Sequence, residues 1–377
     1  MKQLCSLMLL CLFVPQLAFA NSKYNLRPGV TDISENVYQL HMTIFIICCV
    51  IGVIVFSVMF WALLRHRKSK GATAATFHES TKVEILWTAI PFLILIGMAV
   101  PATKTLIAME DTSKADVTIK ITGSQWKWHY EYMGHDLGFY SLLATPQGQI
   151  KNAEAKGENY LLEVDKPLVI PTGKKVRFLM TSDDVIHSWW VPDFAVKKDA
   201  NPGFINEAWT KVNEAGIYRG QCAELCGQDH GFMPVVVEAK SPEEFDTWLA
   251  EQKQAMLDQA DADAALLDQT LSHEELMSTG EQVYMTRCVA CHQPTGLGVP
   301  GVFPAIKGSP IATGEIKDHI DIVVQGKPGT AMQAFVSQLT IKELASVVTY
   351  QRNAFGNDTG DTVQPSAIQA FIDGEEQ

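Results

Sequence analysis

The sequence predicts a two-helix membrane hairpin followed by an all-β domain and a small all-α domain, and three observations carry that order. Two long uncharged runs lie within the first 110 residues, short alternating strands fill the middle of the chain, and helical periodicity takes over near residue 241. At 377 residues the chain exceeds one average domain.

Residues 1–20 read as a secretory signal peptide, with Lys2 as the positive start, Leu4 to Phe13 as the apolar run and Ala18-Phe19-Ala20 as the cleavage pattern. Cys5 and Cys11 leave with it, and Leu10 before Cys11 argues against lipidation. The hairpin occupies 21–110, with spans expected at about 41–64 and 84–107. Met42 to Leu64 carries no charge and exceeds the roughly 20 residues a bilayer crossing requires. Ile85 to Thr103 is also uncharged; its Pro91 and Pro101 are tolerated where neighbouring groups satisfy the freed carbonyls. Arg65, Arg67, Lys68, Lys70 and Lys82 between the runs place the hairpin tip in the cytoplasm and both mature ends outside. Glu84 opens the second span, where Thr81 to Glu84 fits a capping box.

Residues 115–240 form the β domain. Val117, Ile119 and Ile121 alternate with polar neighbours, as do Val176, Phe178 and Met180, and then Val235 and Val237. Pro171-Thr172-Gly173 and the run from Asn213 to Gly216 mark turns, so a sandwich or barrel is expected. Met133 to Glu158 fits no strand and reads as an insertion loop. Trp126, Trp128, Tyr130 and Tyr132 recur at period two, as on a strand face packed in a core. Ser241 then caps a helix with Pro242 in its first turn and Glu244 at the capping-box position. Gln259 to Thr270, rich in alanine and aspartate, reads as a linker, making 241–272 helix plus linker, 273–357 the α domain and 358–377 a polar tail.

Two clusters carry chemistry. Cys222, Cys226, His230 and Met233 fall within twelve residues, and His187 supplies a second imidazole from a distant strand. Two thiolates and two imidazoles could hold one zinc ion, but zinc leaves Met233 without a role, and a Cys222–Cys226 disulfide ignores His187. Two copper ions bridged by both sulfurs use every ligand, and soft sulfur with imidazole suits copper. In the α domain, Cys288-Val289-Ala290-Cys291-His292 is the c-type haem attachment motif, in which both thiols add to vinyl groups and the histidine becomes an axial ligand. Met332 is the one methionine after His292 and is the expected second axial ligand, on a flexible segment before the last helix. His319, the competing imidazole, reads as a solvated helix residue; the Pro304 carbonyl is placed to orient His292. Of the eight cysteines, two lie in the signal peptide, Cys48 and Cys49 pack in the first span, and these motifs account for the rest. The net charge of −12 disfavours nucleic acid and favours basic partners.

The copper motif resembles that of cytochrome c oxidase subunit II, position by position at His187, Cys222, Glu224, Cys226, His230 and Met233. The resemblance spans about residues 30–240, and the C-terminal region resembles a small class I cytochrome c. It implies a cupredoxin-like Greek-key barrel holding a binuclear copper A centre, with bridging cysteines, one histidine per copper, Met233 as a weak ligand and the Glu224 backbone carbonyl as another. It further implies that Trp126 lies over the copper pair as the electron entry point and that Glu84 sits near the mouth of a proton route. The Glu224 carboxylate would bind magnesium or manganese shared with subunit I. The implied protein is the electron-input subunit of a bacterial oxidase in the inner membrane, fed by a c-type cytochrome and partnered by subunit I and subunit III. Electrons would pass from haem c to the copper pair, then to haem a and the dioxygen-reducing centre of subunit I, coupled to proton pumping. A free-standing membrane electron carrier and a copper metallochaperone are the competing readings. A chaperone leaves Met233 and the haem motif unexplained, and the copper ligands disfavour a quinol oxidase.

Overall fold

The structure is a computed structural model and describes residues 25–73 and 76–374; the expected signal peptide, with Cys5 and Cys11, lies outside the described residues. Helix α1 (Asp32–Arg65) starts at Thr31, whose side chain and that of Ser34 cap reciprocally, with Asp32 and Glu35 near the positive helix end. It begins before the uncharged run because these capped polar turns continue the helix outward, giving a length of about 51 Å at 1.5 Å per residue. Helix α2 (Thr81–Glu110) runs unbroken through Pro91 and Pro101. Its cap stands one residue earlier than expected: Ser80 is the N-cap, and Glu84 Oε1 accepts the Ser80 backbone N–H at 3.3 Å while Ser80 makes no side-chain cap bond. Both helices are long and apolar enough to cross a bilayer, and their apolar side chains, Val53, Trp61 and Ile107 among them, are exposed.

The N-terminal arm is stitched to the β domain. Arg27 pairs with Asp193 at 2.9 Å, Thr31 bridges to Val212, and the Asn213 N–H donates to the Val30 carbonyl at 3.1 Å. That domain is a sandwich of two five-stranded sheets. One runs β3 (Leu137–Ser141), β2 (Lys127–Tyr132), β1 (Val117–Ser124), β5 (Val176–Ser182), β8 (Asn206–Thr210); the other runs β4 (Leu168–Pro171), β10 (Pro234–Lys240), β9 (Gly216–Cys222), β6 (His187–Val191), β7 (Val196–Ala200). The alternating apolar residues meet inside: β1 and β5 pair in parallel with Ile119 opposite Phe178 and Ile121 opposite Met180, and all four are fully buried. Trp128, Tyr130, Tyr132 and Trp189 complete this core. The stretch expected as an insertion loop contains β3, which pairs with β2 so that Phe139 lies opposite Tyr130 and touches its ring. Its two glycine- and serine-flanked aromatics were too few to show a period.

Helix α3 (Pro242–Leu266) packs Phe245 and Trp248 on Tyr132 of the sandwich. It continues through most of the segment expected as linker, because alanine is the best helix former and Gln254–Asp258 and Gln259–Asp263 bond at i,i+4. The α domain follows with α4 (His273–Val283), a π turn over Tyr284–Cys288, α5 (Ile316–Val324) and α6 (Ile341–Asn353) around a second core. Part of the expected polar tail is helix α7 (Pro365–Ile372), with Pro365 in its first turn and Ile368 buried in that same core.

His319 is also unlike its expectation. It lies on the inner face of α5, 3% exposed, with Nε2 donating to Gln351 Oε1 at 2.9 Å and Nδ1 without a partner. Burial drives its pKa down to about 4. The unfolded chain binds this proton near pH 6.5 and the folded chain only near 4, so folding stability is complete above about 6.5 and falls as pH drops toward 4. The expected loss reaches at most about 3 kcal/mol, and it should vanish from denaturant melts of His319→Gln compared with wild type between those pH values.

Candidate metal centre and haem site

The metal ligands come from one end of the sandwich. His187 opens β6, Cys222 closes β9, and Cys226, His230 and Met233 lie on the loop that returns the chain to β10. Trp189 pairs with Cys222 across β6 and β9, which brings the distant histidine beside the first sulfur. His187 Nδ1 lies 4.0 Å from Cys222 Sγ, His230 Nδ1 lies 3.5 Å from Cys226 Sγ, and the sulfurs stand 3.8 Å apart. At that separation the two sulfurs are not bonded, since a disulfide places them at about 2.05 Å. The Glu224 carbonyl oxygen is 3.3 Å from Cys222 Sγ, and its side chain is exposed. Met233 is buried in the same cluster as both cysteines, and its carbonyl accepts the Cys222 N–H at 3.0 Å.

The donor set fits a pair of soft metal ions: two sulfurs side by side, each with its own imidazole nitrogen. The two thiols lie close enough to share a proton, so ionising one of them is favoured and ionising the second is opposed by that shared bond and by burial. Burial opposes charge on His187, but its bonds to Asp184 and Cys222 outweigh that and raise it. Asp184 was not singled out from the sequence. Its Oδ1 accepts His187 Nε2–H at 2.9 Å, turning the Nδ1 lone pair toward the sulfurs, and its Oδ2 accepts the Gln125 N–H at 2.8 Å. Burial would raise this carboxyl, yet those bonds hold it below its ordinary value. A carboxylate three residues before a ligating histidine was the available signal.

Trp126 sits against the metal loop, its Nε1–H donating to the Cys226 carbonyl at 3.2 Å beside Gln125 Nε2 at 2.8 Å. Gly227 permits that approach: its φ is +117°, and a Cβ there would stand 2.8 Å from Gln125 Nε2. Glu84 is elsewhere, on the first turn of α2.

In the α domain, Cys288 ends the π turn, Cys291 and His292 follow on one helical turn, and Cys288 and Met332 pack against the same core. His292 Nδ1–H donates to the Pro304 carbonyl at 2.9 Å, as the sequence suggests, leaving Nε2 as the free lone pair. Gly298, at φ +64°, makes this possible, since a Cβ would lie 2.5 Å from the Pro304 oxygen. Burial lowers His292 and raises the two thiols, Cys288 to about 12 and Cys291 to about 11, so all three are neutral donors. These residues fit a covalently held haem. Gln351, linked to His319, also donates from Nε2 to Cys288 Sγ at 3.7 Å.

Sandwich, metal loop and haem motif together define a membrane-anchored cupredoxin-type redox subunit joined to a cytochrome c domain. Sequence comparison agrees by region: the family "Cytochrome C oxidase subunit II, periplasmic domain" matches residues 117–240, its transmembrane domain matches 20–105, and "Cytochrome C oxidase, cbb3-type, subunit III" matches 275–350. A probable cytochrome c oxidase subunit 2 of Rickettsia conorii is 40% identical over 61% of this chain and 72% of its own length. The Cereibacter sphaeroides subunit 2 is 32% identical over 60% of this chain and 79% of its own. The crystal structure of the periplasmic domain of subunit II of cytochrome oxidase of Bradyrhizobium japonicum is 41% identical, covering 38% of this chain and 98% of that one at a TM-score of 0.35. The chain belongs to the cytochrome c oxidase subunit II family and carries a cytochrome c domain at its C-terminal side. It is thus a subunit of a haem-copper oxidase complex, and its two redox domains imply copper and haem.

Proposed function

We propose that the chain is the electron-input subunit of a bacterial oxidase, accepting electrons from a c-type cytochrome at its own cytochrome domain and delivering them through the copper domain to subunit I, where dioxygen is reduced and protons are pumped. Bound to the residues above, a covalent haem c and a copper A pair would supply one-electron carriers. His187, Cys222, the Glu224 carbonyl, Cys226, His230 and Met233 would hold the copper; Cys288, Cys291, His292 and Met332 would hold the haem.

One contact carries the reading. The Trp126 indole meets Phe303 of the cytochrome domain edge to face, ring centroids 6.2 Å apart, while its Nε1–H bonds the carbonyl of Cys226. Phe303 precedes Pro304, whose carbonyl orients His292. Packed residues therefore run without a gap from the haem's histidine to the metal loop, with Trp126 as the entry residue facing the fused donor. Trp126→Gln is expected to slow haem-to-copper transfer strongly in flash-reduction kinetics while leaving copper and haem content unchanged; an unaltered rate rejects the assignment.

In this reading both apolar helices cross the inner membrane with the basic turn inside, placing both redox domains on the periplasmic side, and subunit III joins subunit I as a partner. Glu84 then opens α2 at the cytoplasmic face, beside a proton-route entrance. The exposed Glu224 carboxylate is free to share magnesium or manganese with subunit I, which must supply most of the six oxygens such an ion takes.

A further inference from the structure

Between the copper and cytochrome domains lies a cation that the assigned chemistry does not use. Lys127, next to Trp126 at the start of β2, is 7% exposed. Its ammonium stands 5.5 Å from the Tyr140 ring centroid on its own sheet and 5.4 Å from that of Phe335 on the cytochrome domain. Phe335 is three residues beyond Met332 and is itself buried. Among the described residues, no carboxylate comes within ion-pair distance of Lys127. The seam instead adds a second cation, Arg287, one residue before Cys288, reaching Asp165 of the copper domain only at 3.8 Å. Removing an ammonium from water without a counter-ion is costly, and aromatic faces return part of that cost. As glue, a leucine would serve better.

We propose that Lys127 is an electrostatic switch for the intramolecular seam: when the cytochrome domain seats on the copper domain, this buried, unpaired cation faces the haem-bearing residues, so the reduced haem docks more tightly than the oxidised one and docking raises the haem's affinity for its electron. The proposal rests on the haem reading of Cys288, Cys291, His292 and Met332. Its logic is linkage: reduction takes one electron from the donor, turns ferric into ferrous iron and lowers the haem's charge by one, which offsets the charge the seam has desolvated. By reciprocity, whatever docking does to the electron's binding, the electron does to docking. Once the electron passes to the copper domain that compensation is lost, and the seam loosens for re-reduction. Burial, together with Arg287, lowers the Lys127 pKa to about 8, so the ammonium is charged at neutral pH.

Spectroelectrochemical titration of the purified full-length chain tests this. Lys127→Met should weaken the haem's hold on its electron by up to about tenfold, a fall of up to about 59 mV for a one-electron couple. Lys127→Arg should restore it. Amine-reactive labelling of wild type, read at Lys127 by mass spectrometry, should be faster with the haem oxidised than reduced. An unchanged potential in Lys127→Met, or redox-independent labelling, overturns the proposal. Wild-type protein without covalent haem would instead overturn the haem reading, and the proposal with it.

Discussion

Cys226→Ser is expected to cut the copper content of the purified protein from two ions per chain to one or none, and to abolish the valence-delocalised signal in paramagnetic resonance. The site is built as two sulfur–imidazole pairs side by side, Cys222 with His187 and Cys226 with His230. A hydroxyl cannot replace a bridging thiolate toward soft metal, so removing one sulfur uncouples the pair. The near-isosteric serine leaves the buried loop packed, because Cys226 is only 2% exposed and the Trp126 and Gln125 bonds go to its backbone carbonyl. Copper analysis and spectra of the purified variant decide the matter. If Cys226→Ser still binds two coppers, or the wild type binds one zinc, the dinuclear assignment fails.

Met332→Ala should remove the weak sulfur-to-iron absorption and lower the haem potential by on the order of a few tenths of a volt, within the span of about 0.8 V that axial ligands command. Thioether ligation stabilises the reduced iron, and losing it would leave the fused cytochrome a poor acceptor from a soluble donor. His319 cannot easily take over: it is buried on the inner face of α5, and its Nε2–H is committed to Gln351. Survival of the sulfur band in this variant would require a different ligand.

The cluster of cysteines, histidines and methionine at the end of the sandwich was legible because metal chemistry constrains residue type and spacing together, and the Cys288–His292 motif because haem attachment needs two thiols at fixed separation. The two long apolar helices followed from length and composition alone. What escaped were features set by tertiary pairing. Leu137–Ser141 became a strand only because Trp128, Tyr130 and Tyr132 offered it an edge. Pro365–Ile372 became a helix by burying Ile368 in the cytochrome core. His319 looked solvated because a single histidine carries no periodicity, and the amide that satisfies it lies 32 residues further on. Asp184, Lys127 and Phe303 matter through their neighbours in space, which no local pattern encodes.

Helix α3 has a bearing on kinetics. Its first half is fixed to the sandwich by Phe245 and Trp248, and its second half carries the chain to the cytochrome domain. A haem domain that lifts away therefore remains tethered at an effective concentration of order millimolar, set by geometry rather than by abundance in the compartment. Re-engagement is a first-order event, indifferent to dilution, so its rate is set by the tether and not by how much of the protein is present.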